Sequence, residues 1–455
     1  MVEDIQQFIR SQQAAIRKND LEQFLQSMTQ FFIELGSSQP MQGLHLVSSK
    51  FDQMCQDVGR LSAFELLTKA EELPNEPHHI ILVTELYCLG GHLEIVRDII
   101  RTSQLPILLV ASNINNRKKP VMATILDESN LIGFINADNQ SFLDKLRTVQ
   151  TALANPHTNS VYMLSHGYDA VATAAIASDT DKTVLFMHHC DHYPALGCYL
   201  EGAHHIDLHN VGFLRCRNEF DIQQNRYLCL SSAGFAYHLN AQRNFASPRL
   251  KTASCGGLHK LKSLPYHLDY LEVILHVLLH HDAIHFHIGH LSDEYLQNIY
   301  NTLSRNGLAD SRFIYLGPAP NLPEILTQLE VDIYLPTLPL SGGKAIIDAM
   351  AAGIPIVAHQ NARDRLWGST DLIYPGAPTW DSLDKLDDII QRMDESFWLD
   401  QSRQSRAYFE RYHSESLFVS QLAQGGAQMG SQDIPSLNPY RPEIAYSLLY
   451  SGFRQ

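Results

Sequence analysis

Residues 332–359 read DIYLPTLPLSGGKAIIDAMAAGIPIVAH, and this stretch decides the fold. Asp332–Leu335 is a short apolar run that predicts a strand. Ser341-Gly342-Gly343 breaks it, a helical pattern runs from Lys344 to Ala352, and Ile354–Ala358 predicts a second strand. Strand, glycine loop, helix and strand in this order make one crossover unit of a parallel sheet, because parallel strands need a long connection. The loop has its own chemistry. Glycines let backbone N–H groups approach an anion closely, and a helix N-terminus carries a fractional positive charge. Lys344 adds a full charge there, and Asp348, one turn on, shares its face. Such an arrangement suits a nucleotide diphosphate, with Asp348 accepting from ribose hydroxyls. It is neither a Walker loop nor G-x-G-x-x-G, and tight helix packing accounts for a Gly-Gly equally well on its own.

The same rhythm extends upstream. Leu250–Ala253 predicts a strand that enters Gly256-Gly257, with Lys260 in reach of a phosphate, although a plain turn explains this pair too. Helical patterns at Tyr266–His280 and Glu294–Arg305 alternate with strands at His285–Ile288 and Arg312–Leu316. Before a polar break at Ala241–Pro248 lies another such unit. Its strands are predicted at His78–Tyr87, Pro106–Ser112, Ser160–Ser165 and Thr183–His188, with Gly90-Gly91-His92 after the first. Ligands bind at the carboxyl ends of such strands. The expected architecture is α/β, with twin Rossmann-like domains at 76–243 and 244–425. Residues 1–75 show three- and four-residue apolar spacing and predict an all-helical segment, read either as a cap on the main body or as a docking or oligomerisation module. Residues 426–455 form a tail, one option being that it packs back on the first domain.

Composition bounds the function. The chain has 455 residues, 34 Lys+Arg and 49 Asp+Glu, a formal charge of −15, with 45% hydrophobic residues. That is globular, and too acidic for general binding to a nucleic-acid backbone. The opening MVEDIQQFIRSQQ lacks the basic and apolar regions of a secretory signal. Apolar stretches such as Tyr270–Leu279 are interrupted by Glu272 and His276 and fall short of the ~20 residues that span a bilayer. Seven scattered cysteines without C-x-x-C fit a reducing compartment. A cytoplasmic setting is expected, with peripheral contact at the inner membrane face left open.

The densest cluster of reactive side chains is His188-His-Cys-Asp-His192, followed by His204, His205, Asp207 and His209. These are zinc-ligand types, but no H-E-x-x-H or C-x-x-C spacing accompanies them, and no metal is assigned. A histidine and a carboxylate at a strand's carboxyl end suit acid/base work or contacts to sugar hydroxyls, with Asp191 and His192 the preferred pair.

GGHLEIVRDI (90–99), HHCDHYPALG (188–197), TASCGGLHK (252–260) and LPLSGGKAIIDAMAAGIPIVAH (338–359) occur in that order. Together they resemble bacterial glycosyltransferases of the GT-B superfamily, of the kind that builds surface polysaccharides, over about residues 78 to 420. The resemblance implies a nucleotide-sugar transferase of hexosyltransferase type, with a UDP-sugar the expected donor. Gly256, Gly257, Lys260, Ser341, Gly342, Gly343 and Lys344 would then lie at the diphosphate, Asp348 at the ribose, and Leu316 and Gly317 near the base. Gly90, Gly91, His92 and His188 would meet the acceptor (a glycan, lipid-linked saccharide or protein), and Asp191 or His192 would deprotonate it. Many retaining members carry two glutamates eight positions apart in the last block; here Leu340 and Asp348 stand at those positions, which puts a retaining mechanism in doubt. Helix N–H groups and a lysine would stabilise the leaving group, so no divalent ion or other cofactor is expected. A nucleotide-sugar epimerase or phosphorylase of the same architecture, and a metal-dependent hydrolase using His188–His192, are the alternatives.

Overall fold

In the first unit the strand stretches IILV (80–83) and ILLVA (107–111) are apolar throughout, because helices cover both faces of a parallel sheet. The computed structural model describes residues 2–37, 46–62, 73–86, 90–116, 129–138, 140–189, 191–232, 235, 249–262 and 266–440. Two compact units result. The first comprises Met1–Cys88, Ile95–Leu228 and Gln421–Met429, and the second Leu89–Glu94, Cys229–Ser420 and Gly430–Gln455.

The first unit holds a seven-stranded sheet. Its strands are β1 (His78–Val83), β2 (Ile107–Ala111), β3 (Leu131–Asn136), β4 (Thr158–Leu164), β5 (Thr183–His188), β6 (Ala203–Asp207) and β7 (Arg226–Tyr227). All pair in parallel, in the order β3-β2-β1-β4-β5-β6-β7. The chain therefore starts in the middle, grows to one side, and returns to grow on the other. Strand β3 and strands β6 and β7 were not anticipated. LIGFIN is half-exposed at the sheet edge, so its pattern lacks the apolar run of its neighbours.

The helical start is part of this unit's interior. Helices α1 (Val2–Arg17), α2 (Leu21–Ser37) and α3 (Ser49–Ser62) form, but where an all-helical segment was expected Leu46–Val47 is a two-residue strand paired in parallel with Pro194–Ala195; residues 38–45 and 63–72 lie outside the described residues. Leu21, Phe24, Leu25, Met28 and Phe32 of α2 and Phe51, Met54, Cys55 and Val58 of α3 share one core with Ile80, Leu146 and Val171. Polar contacts bind the layer too. Glu22 accepts from the first-turn amides of Phe142 (3.1 Å) and Leu143 (2.7 Å) of helix α4 (Phe142–Leu153). Buried Asp52 accepts from Gly197 N (2.7 Å) and Tyr199 N (2.8 Å). These contacts pack the segment on the main body of the unit.

The second unit's sheet comprises β8 (Leu250–Cys255), β9 (Ala283–Ile288), β10 (Phe313–Gly317) and β11 (Ile333–Tyr334), paired in parallel as β10-β9-β8-β11. A parallel bridge from Tyr334 to Ile356 leads on to β12 (Ala358–His359), which pairs with β13 (Thr379–Trp380). In chain order the strands lie 3-2-1-4-5-6, the doubly wound arrangement. Beneath them runs a buried polar chain. Thr252 Oγ1 meets His285 Nδ1 (2.8 Å), His285 Nε2 meets Tyr270 Oη (2.8 Å), Tyr270 Oη meets His287 Nδ1 (2.7 Å), and His287 Nε2 meets Gly256 O (3.0 Å). With both imidazoles neutral, every donor runs the same way, ending on the Gly256 carbonyl.

Two outcomes are expected. Nine buried apolar side chains in α2 and α3, at about 1.5–3 kcal/mol each, exceed the roughly 5–15 kcal/mol by which a protein is stable. A chain lacking residues 1–62 should therefore lose the cooperative melt of the first unit by calorimetry. The second outcome concerns acid. Burial holds His287 down to about 4, and burial together with His267 holds His359 down to about 3, against an ordinary 6.5. Between those values and 6.5 the unfolded chain binds more protons. Stability should thus fall as pH drops below 6.5, by up to about 1.4 kcal/mol per pH unit for each group. Thermal melts from pH 7.5 to 5 should show this slope, reduced in His287→Gln.

Candidate functional site

In the second unit the glycine loops meet where the strand order reverses, between β8 and β11. Gly256 and Gly257 follow β8, and its amide edge is pinned by Gly256 N to Ile288 O (2.9 Å) and Leu258 N to His290 O (2.9 Å). Lys260 crosses to the other loop and donates to Ser341 O (2.8 Å). Its Nζ lies 3.9 Å from where a Cβ on Gly342 would stand. Ser341 Oγ bonds Ser369 Oγ (2.6 Å), and Thr337 Oγ1 donates to Leu340 O (2.8 Å), so the loop before the helix is braced from both sides. Helix α5 (Gly343–Ala351) starts at Gly342, which offers no side-chain cap, and its first turn contains no acidic residue. That N-terminus keeps its fractional positive charge directed at the loop.

Gly317, at the end of β10, accepts from Gly289 N (2.9 Å), and Gly289 in turn abuts Gly256. Three strand ends thus stand in a row, with Leu316 exposed beside them. Gly289 was not anticipated. With φ at +126°, and a Cβ there only 2.3 Å from Gly256 O, no other residue fits without moving the loop. One expectation needs correcting. Lys344 and Asp348 do share a helix face, but that face is buried, and Lys344 Nζ pairs with Asp348 Oδ1 at 2.7 Å. The cation that braces the loop is Lys260. Gly90, Gly91 and His92, expected at an acceptor, group with this second unit, where a Cβ on Gly91 would stand 3.3 Å from Lys344 Cβ.

The first unit has its own reversal point between β1 and β4. Asp169 Oδ2 accepts from Thr84 Oγ1 (2.7 Å) and Ser112 Oγ (2.5 Å), and Thr84 Oγ1 accepts from His166 N (2.8 Å). Above this knot, Glu85 accepts from Asn115 Nδ2 (3.2 Å) and Tyr168 Oη (3.4 Å). His166 stacks on Tyr168 (5.4 Å between centroids) and meets His189 edge-on (5.6 Å). Sequence reasoning missed Glu85, His166 and Tyr168. The available signal was polar residues directly after apolar runs, as in HHIILVTE and VYMLSH.

Asp191 is buried, with His192 Nδ1 3.6 Å from Oδ1. Burial pushes its carboxyl upward, but the adjacent His192 and the neighbouring His209 and His188 outweigh that, leaving it below the usual carboxylate range. The carboxylate packs on the first turn of helix 210–220, where a Cβ on Gly212 would stand 2.4 Å from Oδ2. His188, expected at the acceptor, does not reach a ligand. It is 2% exposed, with Nδ1 on Asp207 (3.0 Å) and Nε2 3.8 Å from Cys198 Sγ. Cys190 lies outside the described residues.

No family model matches the sequence, and no curated protein matches it significantly. Solved structures do. HepE of Anabaena, in complex with UDP and glucose, superposes with a TM-score of 0.56 at 13% identity, covering 76% of this chain and 98% of that one. The chain has the GT-B fold. A glycosyltransferase from Rickettsia africae gives 0.55 at 12% identity over 77% and 98%, and the lipopolysaccharide outer core galactosyltransferase WaaB gives 0.52 at 14% over 76% and 98%.

Gly289→Ala should cost about 2 kcal/mol or more, from strain at positive φ and the collision with Gly256 O. A lowered melting temperature of the second unit, with the first unit's unchanged, checks this.

Proposed function

We propose that the chain transfers a sugar from a nucleotide-diphosphate sugar, of which a UDP-sugar is the leading candidate, to a hydroxyl on a glycan, lipid-linked saccharide or protein. One observation carries this reading: two glycine loops converge at the reversal point of a 3-2-1-4-5-6 sheet, next to an uncapped helix N-terminus and a bracing lysine. Phosphate groups bind at such a place because backbone amides and the helix dipole both favour negative charge. The GT-B fold and the binding of UDP by HepE support it.

In this mechanism the amides at Gly257, Gly342 and Gly343 receive the diphosphate, with Gly256 holding its loop to Ile288 O, and Lys260 swings from Ser341 O to a phosphate oxygen. These groups meet the charge that develops on the departing diphosphate, so the leaving group is stabilised by fixed donors. Leu316, exposed beside the buried Gly317, offers an edge to the base. The first unit takes the acceptor. Asp191, held ionised, or His192 beside it accepts the proton of the attacking hydroxyl, which is the requirement of an inverting displacement. A cytoplasmic site of action, where nucleotide sugars are made, belongs to the same proposal.

Calorimetry with UDP, GDP and ADP tests the donor site. Lys260→Ala should weaken the preferred nucleotide about 10–100-fold, the worth of one charge-assisted hydrogen bond, with an unaltered melting temperature. Asp191→Asn should keep that affinity and lose transfer. Absence of binding by any nucleotide diphosphate counts against the proposal, and conversion of a nucleotide sugar without acceptor would redirect it to an epimerase.

A further inference from the structure

One buried cluster in the first unit takes no part in the chemistry above. His188 ends β5, His205 and Asp207 occupy alternate positions of β6 and so share a face, and Cys216 lies on helix 210–220. All four are buried. His188 Nδ1 and His205 Nε2 each lie 3.0 Å from Asp207 Oδ1. Cys216 Sγ lies 3.4 Å from that oxygen and 3.7 Å from His188 Nδ1. The four atoms are all within 4.8 Å of one another. A tetrahedral ion with bonds of about 2.0–2.3 Å holds its ligands about 3.3–3.7 Å apart, so the cluster has the right size for one.

The surrounding hydrogen bonds point the same way. His205 Nδ1 faces the Cys198 carbonyl at 3.1 Å, which accepts only, so the ring proton sits on Nδ1. Nε2 then presents a lone pair to a carboxylate oxygen 3.0 Å away. Two acceptors at that distance need a positive centre between them. A second proton on His205 would supply one, with the His188 ring and the Cys216 thiol each donating to the same oxygen; a single metal ion takes the place of all three protons. The other oxygen of Asp207 accepts from Asn225 Nδ2 (2.6 Å), which also donates to Phe213 O (2.9 Å). A histidine fixed by a backbone carbonyl and a carboxylate fixed by an amide are the supports that orient metal ligands.

We propose that His188, His205, Asp207 and Cys216 bind one divalent ion of the zinc class. Two imidazoles, a thiolate and a carboxylate suit zinc, whereas magnesium and calcium take oxygen ligands. Four protein ligands in a buried site leave no open position, so the ion is structural. It ties the end of β5 to β6 and to helix 210–220, while Asn225 carries the tie to β7, only two residues long. It also fixes the point from which the loop bearing Asp191 departs. Sequence spacing hides the site, because the ligands come from two strands and a helix and His192 is not among them.

The full chain, purified without chelator, should contain about one zinc per chain by mass spectrometry. Chelator-stripped protein should take up Co²⁺ and show a thiolate-to-cobalt charge-transfer band. Cys216→Ala, which removes only a thiol, should lose both metal and band, as should Asp207→Asn if it folds. Cys198→Ser should keep them, and Asn225→Ala should weaken Co²⁺ binding about 10–100-fold. Co²⁺ uptake with the band by a protein purified empty supports the site equally. Failure of the stripped wild type to take up Zn²⁺ or Co²⁺, or full metal retention by Cys216→Ala, overturns it.

Discussion

A parallel sheet that begins with its central strand has one place where two neighbouring strands send their chains to opposite sides. At that place no crossover covers the strand ends, and backbone amides stay accessible. The largest described sheet of each unit is built this way, with β1 beside β4 and β8 beside β11. Everything assigned to chemistry in the second unit follows from it. The glycines at 256 and 342 face each other because β8 and β11 are adjacent, although 86 positions separate them in the chain. Lys260 can hold Ser341 for the same reason.

Close approach of two loops leaves their backbone carbonyls to be satisfied from below. The chain Thr252–His285–Tyr270–His287 does this for Gly256, and it works only with uncharged imidazoles. In the first unit the same residue type serves differently. His188 and His205 converge on the buried Asp207 carboxylate. The two sets of histidines thus differ in their partners: hydroxyls and a carbonyl in one, an aspartate in the other.

Much of this was legible in the sequence. Apolar runs separated by helical patterns gave the alternation, its restart after Pro248, and the glycine loops in their places. Loop pairing was not readable, since it depends on strand order. The i,i+4 spacing of Lys344 and Asp348 correctly put them on one face, but whether that face turns inward is decided by packing. Likewise the apolar stripes of α2 and α3 announced buried faces without naming what covers them. HFHI showed two histidines on one side of a strand; their partners, Tyr270 and Gly256, lie in other elements.

The contact between Asp52 and the amides of Gly197 and Tyr199 spans about 145 residues. A ribosome adding roughly 5–20 residues per second needs about 7–30 s to bridge that gap. During this time the apolar faces of the first helices have emerged while the strands and loops they pack on have not yet been made. Vectorial synthesis therefore makes these helices before the strands and loops that share their core.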